Sequence, residues 1–291
     1  MKNIYAIIQL NEHGFDILNS KNMQLEKTFI QHGRLSTYNH SLFVAYMSLC
    51  IAGKLRIKIN ERSLVRGALL HDYFLYDWHI PSTENRRHAF DHPRRAWENA
   101  SQDFEFLEKG FTSASLRNIA KKAGVTTGAL YGYYDSKEDL FEALVGEHYN
   151  FLLERFCKAQ KEFAEIPPEE QPNNLTSTSG ECMYEMLLYA YEHLNEFKLI
   201  LCCSEGTRFS KLIDEMVEIE TKGTHDYLAV LEKIGRPAPP IDERLEHILI
   251  TGMFNTFFEL IIHEMPLEEA KHYLKEMRDF YTAGWMKIMG Q

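Results

Sequence analysis

The chain has 291 residues, of which 45% are apolar and 25% are charged. This length and composition suit two or more globular domains with hydrophobic cores and exclude a disordered or fibrous chain. The 32 basic and 42 acidic residues give a net charge of −10. Contact with nucleic acid must therefore be confined to a locally basic surface.

The cysteines and the N-terminal residues indicate the cellular compartment. The five cysteines are odd in number and lack the paired spacing of a zinc site. Cys202 and Cys203 are neighbours, which rarely bridge to each other, so we expect the reduced thiols of a cytoplasmic protein. The apolar stretch from Ile4 to Leu10 has no basic start and is too short to span a bilayer. The sequence predicts neither a signal peptide nor a membrane-spanning segment.

The first hundred residues contain histidines and an aspartate that suit neighbouring helices. Imidazole and carboxylate groups brought together in this way can hold a divalent transition metal. The blocks Gln31-His32-Gly33, Ser36 to Ser41, Arg66 to His79 and His88 to Pro93 resemble the HD-domain metal-dependent phosphohydrolases over about residues 1–104. The metal ligands implied by this resemblance are His40, His71, Asp72 and His92.

The resemblance to the HD-domain enzymes covers only part of that family's ligand set. The family needs a later aspartate, and its two-metal members need a further histidine, beyond the segment Pro93 to Ala100. No downstream stretch of this sequence matches those ligands. We therefore expect a truncated HD-like helical domain at 1–100 with no catalytic residues. We expect that the protein requires no cofactor. A divalent metal bound at this segment is the candidate for an optional one.

The join near residue 104 is predicted to be helical on both sides. Trp97, Ala100, Phe104, Leu107 and Phe111 keep an apolar stripe at helical spacing. We expect one continuous helix that serves both domains. The polar residues at positions 98, 99, 101 and 102 are expected to pack poorly on the domain that follows.

The stretch from Lys109 to Val145 has the pattern of two short crossing helices. Ser115 is a suitable N-cap for a one-sided helix over 116–123, and Gly124 supplies a left-handed turn before a second helix over 127–131. This is helix-turn-helix geometry, in which the second helix enters the major groove of DNA.

Charge supports the same interpretation, since residues 109–134 hold four basic side chains and no acidic one. The segment resembles the tetracycline-repressor-like (TetR) transcriptional regulators, and the resemblance extends over about residues 104–291. It implies a helix-turn-helix DNA-binding domain at 101–147, with a palindromic operator in double-stranded DNA as the partner. Tyr134 is expected to pack against the next helix. The DNA-binding residues implied by the resemblance are Ser115, Arg117, Thr126, Thr127, Tyr131, Tyr133 and Lys137.

The remaining residues, 148–291, are predicted to form a helical effector-binding and dimerisation domain, so the whole protein is expected to be all-α. A long helix should begin at Lys137 and pass Phe156, and prolines mark a loop at about 167–180. Further helices are expected at about 181–194, 195–205, 208–234, 242–264 and 266–289.

The last two helices are apolar over more than one face, which predicts a partner helix pair. The TetR resemblance implies that this pair forms a symmetric homodimer interface, and a fully internal core is the alternative. A cavity for a small hydrophobic effector is expected near the Met-rich stretch, although such stretches also form ordinary cores. Its predicted lining residues are Met183, Met186, Leu187 and Cys202.

The sequence thus predicts a ligand-responsive, DNA-binding transcriptional regulator, a repressor rather than an enzyme, with an inactive HD-like segment at its N-terminus. The alternative is an HD-type metal-dependent phosphohydrolase whose helical C-terminal half serves regulation or dimerisation. The two differ in whether the protein binds DNA or hydrolyses phosphate esters.

Overall fold

The computed structural model describes residues 4–33, 35–79, 88–123, 128 and 131–291. The chain divides into two compact units, residues 1–144 and 145–291. The segments predicted as separate domains at 1–100 and 101–147 share the first unit up to residue 144.

The first unit is built mainly of helices. A short two-stranded antiparallel hairpin, in which Ile30 is paired to Ser36, interrupts the mostly helical fold that the sequence predicted. Gly33 turns the chain back with a φ of 62°, a conformation that glycine adopts without steric cost. The elements are α1 Ile4–Asn19, α2 Lys21–Leu25, β1 Ile30–His32, β2 Leu35–Ser36, α3 Thr37–Leu55, α4 Glu61–Leu70, α5 His88–Ser101, α6 Leu107–Ser113 and α7 Leu116–Ala123.

A single hydrophobic cluster joins α1, α3, α4 and α5. Ile17, Leu49, Leu69 and Ala100 are buried in it, together with Phe104 from the predicted join. Truncating one of the large members to alanine costs about 2–5 kcal/mol in typical cores. The N-terminal helices and the join therefore form one packed body.

The join itself is a π-helical stretch, Gln102–Phe106, that connects α5 directly to α6. The predicted continuous helix is confirmed as far as Gly110, whose φ of 71° and ψ of 165° interrupt it. A π-turn holds one more residue than an α-turn and so rotates the side chains that follow. Phe104 accordingly belongs to the N-terminal core, while Phe106 lies 5.1 Å, centroid to centroid, from Phe141.

The polar residues at the join were expected to pack poorly on the domain that follows. Of these residues, Glu98 does contact that domain, because it accepts a hydrogen bond from the Tyr134 hydroxyl. Ser101 is buried and its Oγ donates a hydrogen bond to the Trp97 carbonyl at 2.7 Å. Asn99 Nδ2 donates to the Tyr73 carbonyl at 3.0 Å. Because these groups find partners within the unit, their burial leaves no uncompensated desolvation cost.

The second unit is helical throughout its ordered elements. Helix α8, Lys137–Ala164, begins in the first unit and continues into the second. The predicted loop at 167–180 was wrong from Gln171 onward, because α9 begins there. Pro172 lies in the first turn of that helix, where its missing N–H has no intrahelical partner to lose. The other elements are α9 Gln171–Glu192, α10 Leu194–Cys202, a 3-10 turn Arg208–Lys211, α11 Leu212–Lys233, α12 Glu243–Ile262 and α13 Leu267–Met289.

Helix α12 is long and apolar enough to cross a membrane by length and composition, and 39% of its apolar window is buried. Its Phe254, Phe257 and Phe258 are fully buried in the second unit. A core helix of a helical protein meets the same criterion, so α12 carries no membrane assignment.

Candidate functional site

Helix α7 has one buried and one exposed face, as the sequence predicted. It packs on α4 and α5. Ile119 and Ala120 are buried at 1% exposure each, whereas Arg117 is exposed. The Ile119 N–H donates to the Ser115 carbonyl at 2.9 Å, which places Ser115 at the start of the helix. The exposed face of α7 therefore presents a cation on a body made largely of N-terminal helices.

A buried carboxylate holds the start of α7. Glu105 lies in the π-helical stretch and is fully buried. Its Oε1 accepts a hydrogen bond from the Ser115 N–H at 3.2 Å and from Lys109 Nζ at 3.1 Å. A negative charge at a helix N-terminus is favoured by the free N–H groups and the helix dipole. Sequence reasoning missed Glu105, because nothing in the local pattern connects it to a helix that starts ten residues later.

Three phenylalanines form the centre of the helix-turn-helix region. The Phe106, Phe111 and Phe141 rings lie 5.1 to 6.2 Å apart, centroid to centroid. Lys137 lies over this cluster, with Nζ 4.3 Å from the centre of the Phe111 ring. The same ammonium donates to the carbonyls of Phe111 at 2.7 Å and Ala114 at 3.1 Å. The predicted phosphate contact at Lys137 thus has its ammonium bound to the C-terminal carbonyls of α6.

The tyrosines after the recognition segment divide into exposed and buried ones. Tyr131 is 54% exposed and Tyr133 is 56% exposed, whereas Tyr134 is 8% exposed. The Tyr134 ring lies 5.2 Å from Trp97, and its hydroxyl donates to Glu98. Burial and the Glu98 carboxylate raise the pKa of Tyr134. Tyr134 is therefore a packing residue, while Tyr131 and Tyr133 are accessible to a ligand.

Two of the predicted DNA contacts, Thr126 and Thr127, lie outside the described residues. Gly124, the predicted turn between the two helices, lies outside them as well. The predicted DNA contacts that the structure does describe are Ser115, Arg117, Tyr131, Tyr133 and Lys137.

The second unit encloses a cavity of about 150 Å³ between α8, α9, α11, α12 and α13. Of the predicted lining residues, Met183 faces this cavity. Met186 and Leu187 are buried, but they lie a turn beyond the last part of α9 that lines it, and Cys202 is exposed. The cavity therefore follows the N-terminal turns of α9, the segment that was predicted to be a loop. Other apolar lining side chains are Phe156, Phe163, Met253, Leu274 and Trp285.

A few polar groups face this apolar cavity. Gln160 Nε2 donates to Glu220 Oε2 at 2.7 Å. Burial raises the pKa of Glu220 to about 7; the Gln160 hydrogen bond opposes the rise and the nearby Glu246 adds to it. The Tyr227 hydroxyl is buried and has no hydrogen-bond partner among the described residues. A buried polar atom without a partner is uncommon and is available to a bound molecule.

The predicted metal ligands of the first unit come together around one carboxylate. Asp72 is 4% exposed. Its Oδ2 lies 3.2 Å from His71 Nε2 and 3.5 Å from His40 Nε2, and its Oδ1 lies 3.7 Å from His92 Nε2. Gln31 Nε2 also donates to Oδ2 at 2.7 Å. The structure therefore brings ligand atoms of His40, His71 and Asp72 within 4.8 Å of one another, and His92 lies against the other oxygen of the same carboxylate.

The protonation of this cluster follows from the mutual contacts. Burial alone would lower the pKa of His71, but the hydrogen bond and charge of Asp72 raise it. Burial alone would raise the pKa of Asp72, but His71, His92 and His40 lower it. His71 Nδ1 lies 2.9 Å from the Ala68 carbonyl, so a proton on Nδ1 leaves Nε2 directed at Asp72. Imidazole ligands oriented in this way suit a divalent transition metal.

These features define a helical protein with an exposed cation and two exposed tyrosines on one compact unit and an apolar cavity in the other. Residues 105–144 match the family model of bacterial regulatory proteins, tetR family. The transcriptional repressor BepR of Brucella suis is 44% identical over 174 residues, which cover 54% of this chain and 80% of that repressor. The chain belongs to the tetR family of bacterial regulatory proteins, and it is a TetR-type transcriptional regulator.

Other relatives match shorter or more divergent stretches. The regulator AcrR of Shigella flexneri is 25% identical over 149 residues, covering 46% of this chain and 65% of AcrR. The regulator UidR of Escherichia coli is 38% identical over 58 residues, covering 20% of this chain and 29% of UidR. Among solved structures, FadR of Bacillus subtilis in complex with stearoyl-CoA is 17% identical, covering 65% of this chain and 97% of that one, with a TM-score of 0.43.

The family match begins at Glu105. The resemblance of residues 1–104 to the HD-domain phosphohydrolases therefore stays a prediction, and the comparisons give no support to phosphohydrolase activity.

Proposed function

We propose that this regulator is a ligand-responsive repressor that binds a palindromic operator as a homodimer. The observation that carries the proposal is the exposed set Arg117, Tyr131 and Tyr133 on the unit whose residues 105–144 match the family model. Arg117 would neutralise a backbone phosphate. Tyr131 and Tyr133 would contact base edges, thymine methyl groups or phosphates.

The other predicted DNA contacts rest on different observations. Ser115 lies at the N-terminus of α7, and because its N–H donates to Glu105, its hydroxyl is the group that we propose as a phosphate contact. Thr126 and Thr127 are proposed contacts on the sequence pattern alone. For Lys137 we propose a positioning role, because its ammonium holds the C-terminal carbonyls of α6.

The last two helices, α12 and α13, would form the interface of the two-fold symmetric homodimer. Ile248 on α12 is 63% exposed, and Phe280 on α13 is 73% exposed. Leu245 and Tyr273 add exposures of 46% and 42% on the same two helices. Large exposed apolar side chains on adjacent elements mark an interaction surface. A second copy would cover them and set two recognition helices roughly 34–36 Å apart, one turn of DNA.

The effector is proposed to be a compact hydrophobic molecule with at least one hydrogen-bonding group. The apolar lining of the cavity favours a hydrophobic molecule. The Tyr227 hydroxyl and the Glu220 carboxyl are the polar groups that would orient it. Cytoplasmic location follows for a DNA-binding protein of this family.

Binding of the full-length protein to the DNA upstream of its own gene tests the proposal. We expect saturable binding whose affinity falls with salt, and a loss of at least tenfold on Arg117→Ala. Arg244→Ala, which removes an exposed arginine from the second unit, is the matched control and should bind as the wild type does. Equal binding by wild type and Arg117→Ala would contradict the proposed surface.

A specific observation also supports metal binding in the first unit. We propose that His40, His71, Asp72 and His92 hold a divalent transition metal, because three imidazoles converge on one buried carboxylate. The metal would supply structural cross-linking of α3, α4 and α5. The alternative, an HD-type phosphohydrolase, requires turnover of a phosphate ester that is lost on His71→Ala. We expect bound metal without such turnover.

A further inference from the structure

A second group of metal-ligating side chains lies in residues 145–291. His148 on α8, His193 between α9 and α10, and Glu196 in the first turn of α10 place three ligand atoms within 4.8 Å of one another. The two imidazole rings lie 4.3 Å apart, centroid to centroid. None of the three residues lines the apolar cavity, so the group is separate from the proposed effector site.

Aromatic packing fixes the geometry of this group. Helix α9 ends at Glu192 and α10 begins at Leu194, so His193 is the single residue of the junction. Phe197, one turn further on, is fully buried and lies 6.4 Å from the His148 ring. Tyr189 stacks on Phe151 of α8 at 3.7 Å. The junction is thereby held against α8 from both sides, and the two histidines meet because of that packing.

A hydrogen bond from outside the group orients one of its ligands. His148 Nδ1 lies 2.9 Å from the Tyr189 hydroxyl. With the proton on Nδ1 donated to that hydroxyl, Nε2 is left as the ligand atom, and ligating histidines commonly have such a partner.

We infer that His148, His193 and Glu196 form a binding site for a divalent transition-metal ion of the zinc type. Two imidazoles and one carboxylate are a ligand set that zinc accepts, with a further position left for water. Metal–ligand distances of about 2.0–2.2 Å require ligand atoms about 3.4 Å apart in a tetrahedral site. Rotation of half-buried side chains closes the present separations. Calcium and magnesium are disfavoured because they prefer all-oxygen sites.

The inference is independent of DNA binding and is tested on the full-length protein by metal titration. The protein is first stripped with a chelator, and Zn²⁺ is then added in competition with a chromophoric indicator. His71→Ala is the background, since it removes a ligand of the proposed metal site in the first unit. In the His71→Ala protein we expect one equivalent of Zn²⁺ to bind. We expect that binding to be lost when His193→Ala is added. His272→Ala, an exposed histidine on α13, is the matched control and should retain it.

Two milder variants guard against a change in folding. Glu196→Gln keeps the side-chain size and should weaken Zn²⁺ binding at least tenfold. Tyr189→Phe removes only the outer hydrogen bond and should weaken binding by about tenfold, the lower end of the range for such partners. Co²⁺ should give a visible absorption band that shifts on Glu196→Gln. Unchanged Zn²⁺ stoichiometry and affinity in His193→Ala and Glu196→Gln would overturn the inference.

Discussion

Fully buried Glu105 in the first unit and half-buried Glu220 in the second differ in how their carboxylates are stabilised. In the first unit, Glu105 is fully buried and accepts hydrogen bonds from Lys109 and from the Ser115 N–H. In the second unit, Glu220 has one hydrogen bond, from Gln160, and its pKa is raised to about 7. The charge of Glu105 is stabilised by its neighbours. The desolvation of the Glu220 carboxylate is only partly offset, and a bound molecule could offset the rest.

This difference indicates which buried polar groups hold the fold and which are available for function. A carboxylate with a cation and a helix N-terminus as partners stabilises the position of α7. A carboxyl group whose pKa is raised by an apolar cavity is a candidate for ligand contact.

Removal of the compensated carboxylate should be the most damaging change. Glu105→Ala leaves the Ser115 N–H and the Lys109 ammonium without their acceptor. We expect the free energy of unfolding to fall by about 3 kcal/mol, as for removal of a charged hydrogen-bond partner. Glu108→Ala, an exposed residue of the next turn, should change it by less than about 0.5 kcal/mol. Denaturant unfolding measures both, and equal effects would remove the special role of Glu105.

Glu220→Gln should have a smaller effect of opposite sign, and the effect should depend on pH. Because the folded pKa is raised from 4.5 to about 7, the folded protein holds the proton more tightly than the unfolded chain does. The wild type therefore loses stability as pH rises from 4.5 to about 7, and the loss remains above that range. At pH 8 we expect Glu220→Gln to be more stable than the wild type by about 2 kcal/mol, discounted for partial solvent contact.

The control for the cavity residue is Glu218→Gln, an exposed neighbour on α11. Its thermal unfolding should follow the wild-type pH dependence, while Glu220→Gln should lose less stability than the wild type between pH 5 and pH 8. Parallel curves for all three proteins would show that Glu220 is not the titrating group.

Lys137→Ala distinguishes a positioning residue from a phosphate contact. Loss of the ammonium from the C-terminal carbonyls of α6 should reduce stability by about 1 kcal/mol. If Lys137 acts by positioning, DNA affinity falls while the dependence of log K on log salt is unchanged. A phosphate contact would instead reduce the salt slope by about 1. Lys161→Ala, an exposed lysine further along α8, should change neither quantity.

The sequence predicted the long helices and α7 well, because each has apolar residues at helical spacing and a recognisable start. Helix α7 spans Leu116–Ala123, as the pattern indicated. The loop over 167–180 was wrong because proline reads as a helix breaker, although Pro172 lies in a first turn that tolerates it. The hairpin was missed because strands of three and two residues are too short to show alternation.

The site could be predicted only where its residues are close in sequence or belong to a motif. The His40, His71, Asp72 and His92 set was found through such motifs. Glu105 and Lys137 act through backbone groups of other elements, and no local pattern shows such partners. The cavity residues Glu220 and Tyr227 lie on α11, far along the chain from the methionines that suggested a pocket. Tertiary packing, which one sequence does not display, decides all of these contacts.

We expect the exposed Tyr131 and Tyr133, in contrast to the buried Tyr134, to read DNA. The affinities of the full-length protein for operator DNA and for a scrambled duplex, both measured at the same salt concentration, test this expectation. For the double variant Tyr131→Ala, Tyr133→Ala we predict wild-type stability and a loss of at least tenfold in the ratio of the two affinities. Tyr134→Phe should keep that ratio. An unchanged ratio in the double variant would contradict the account.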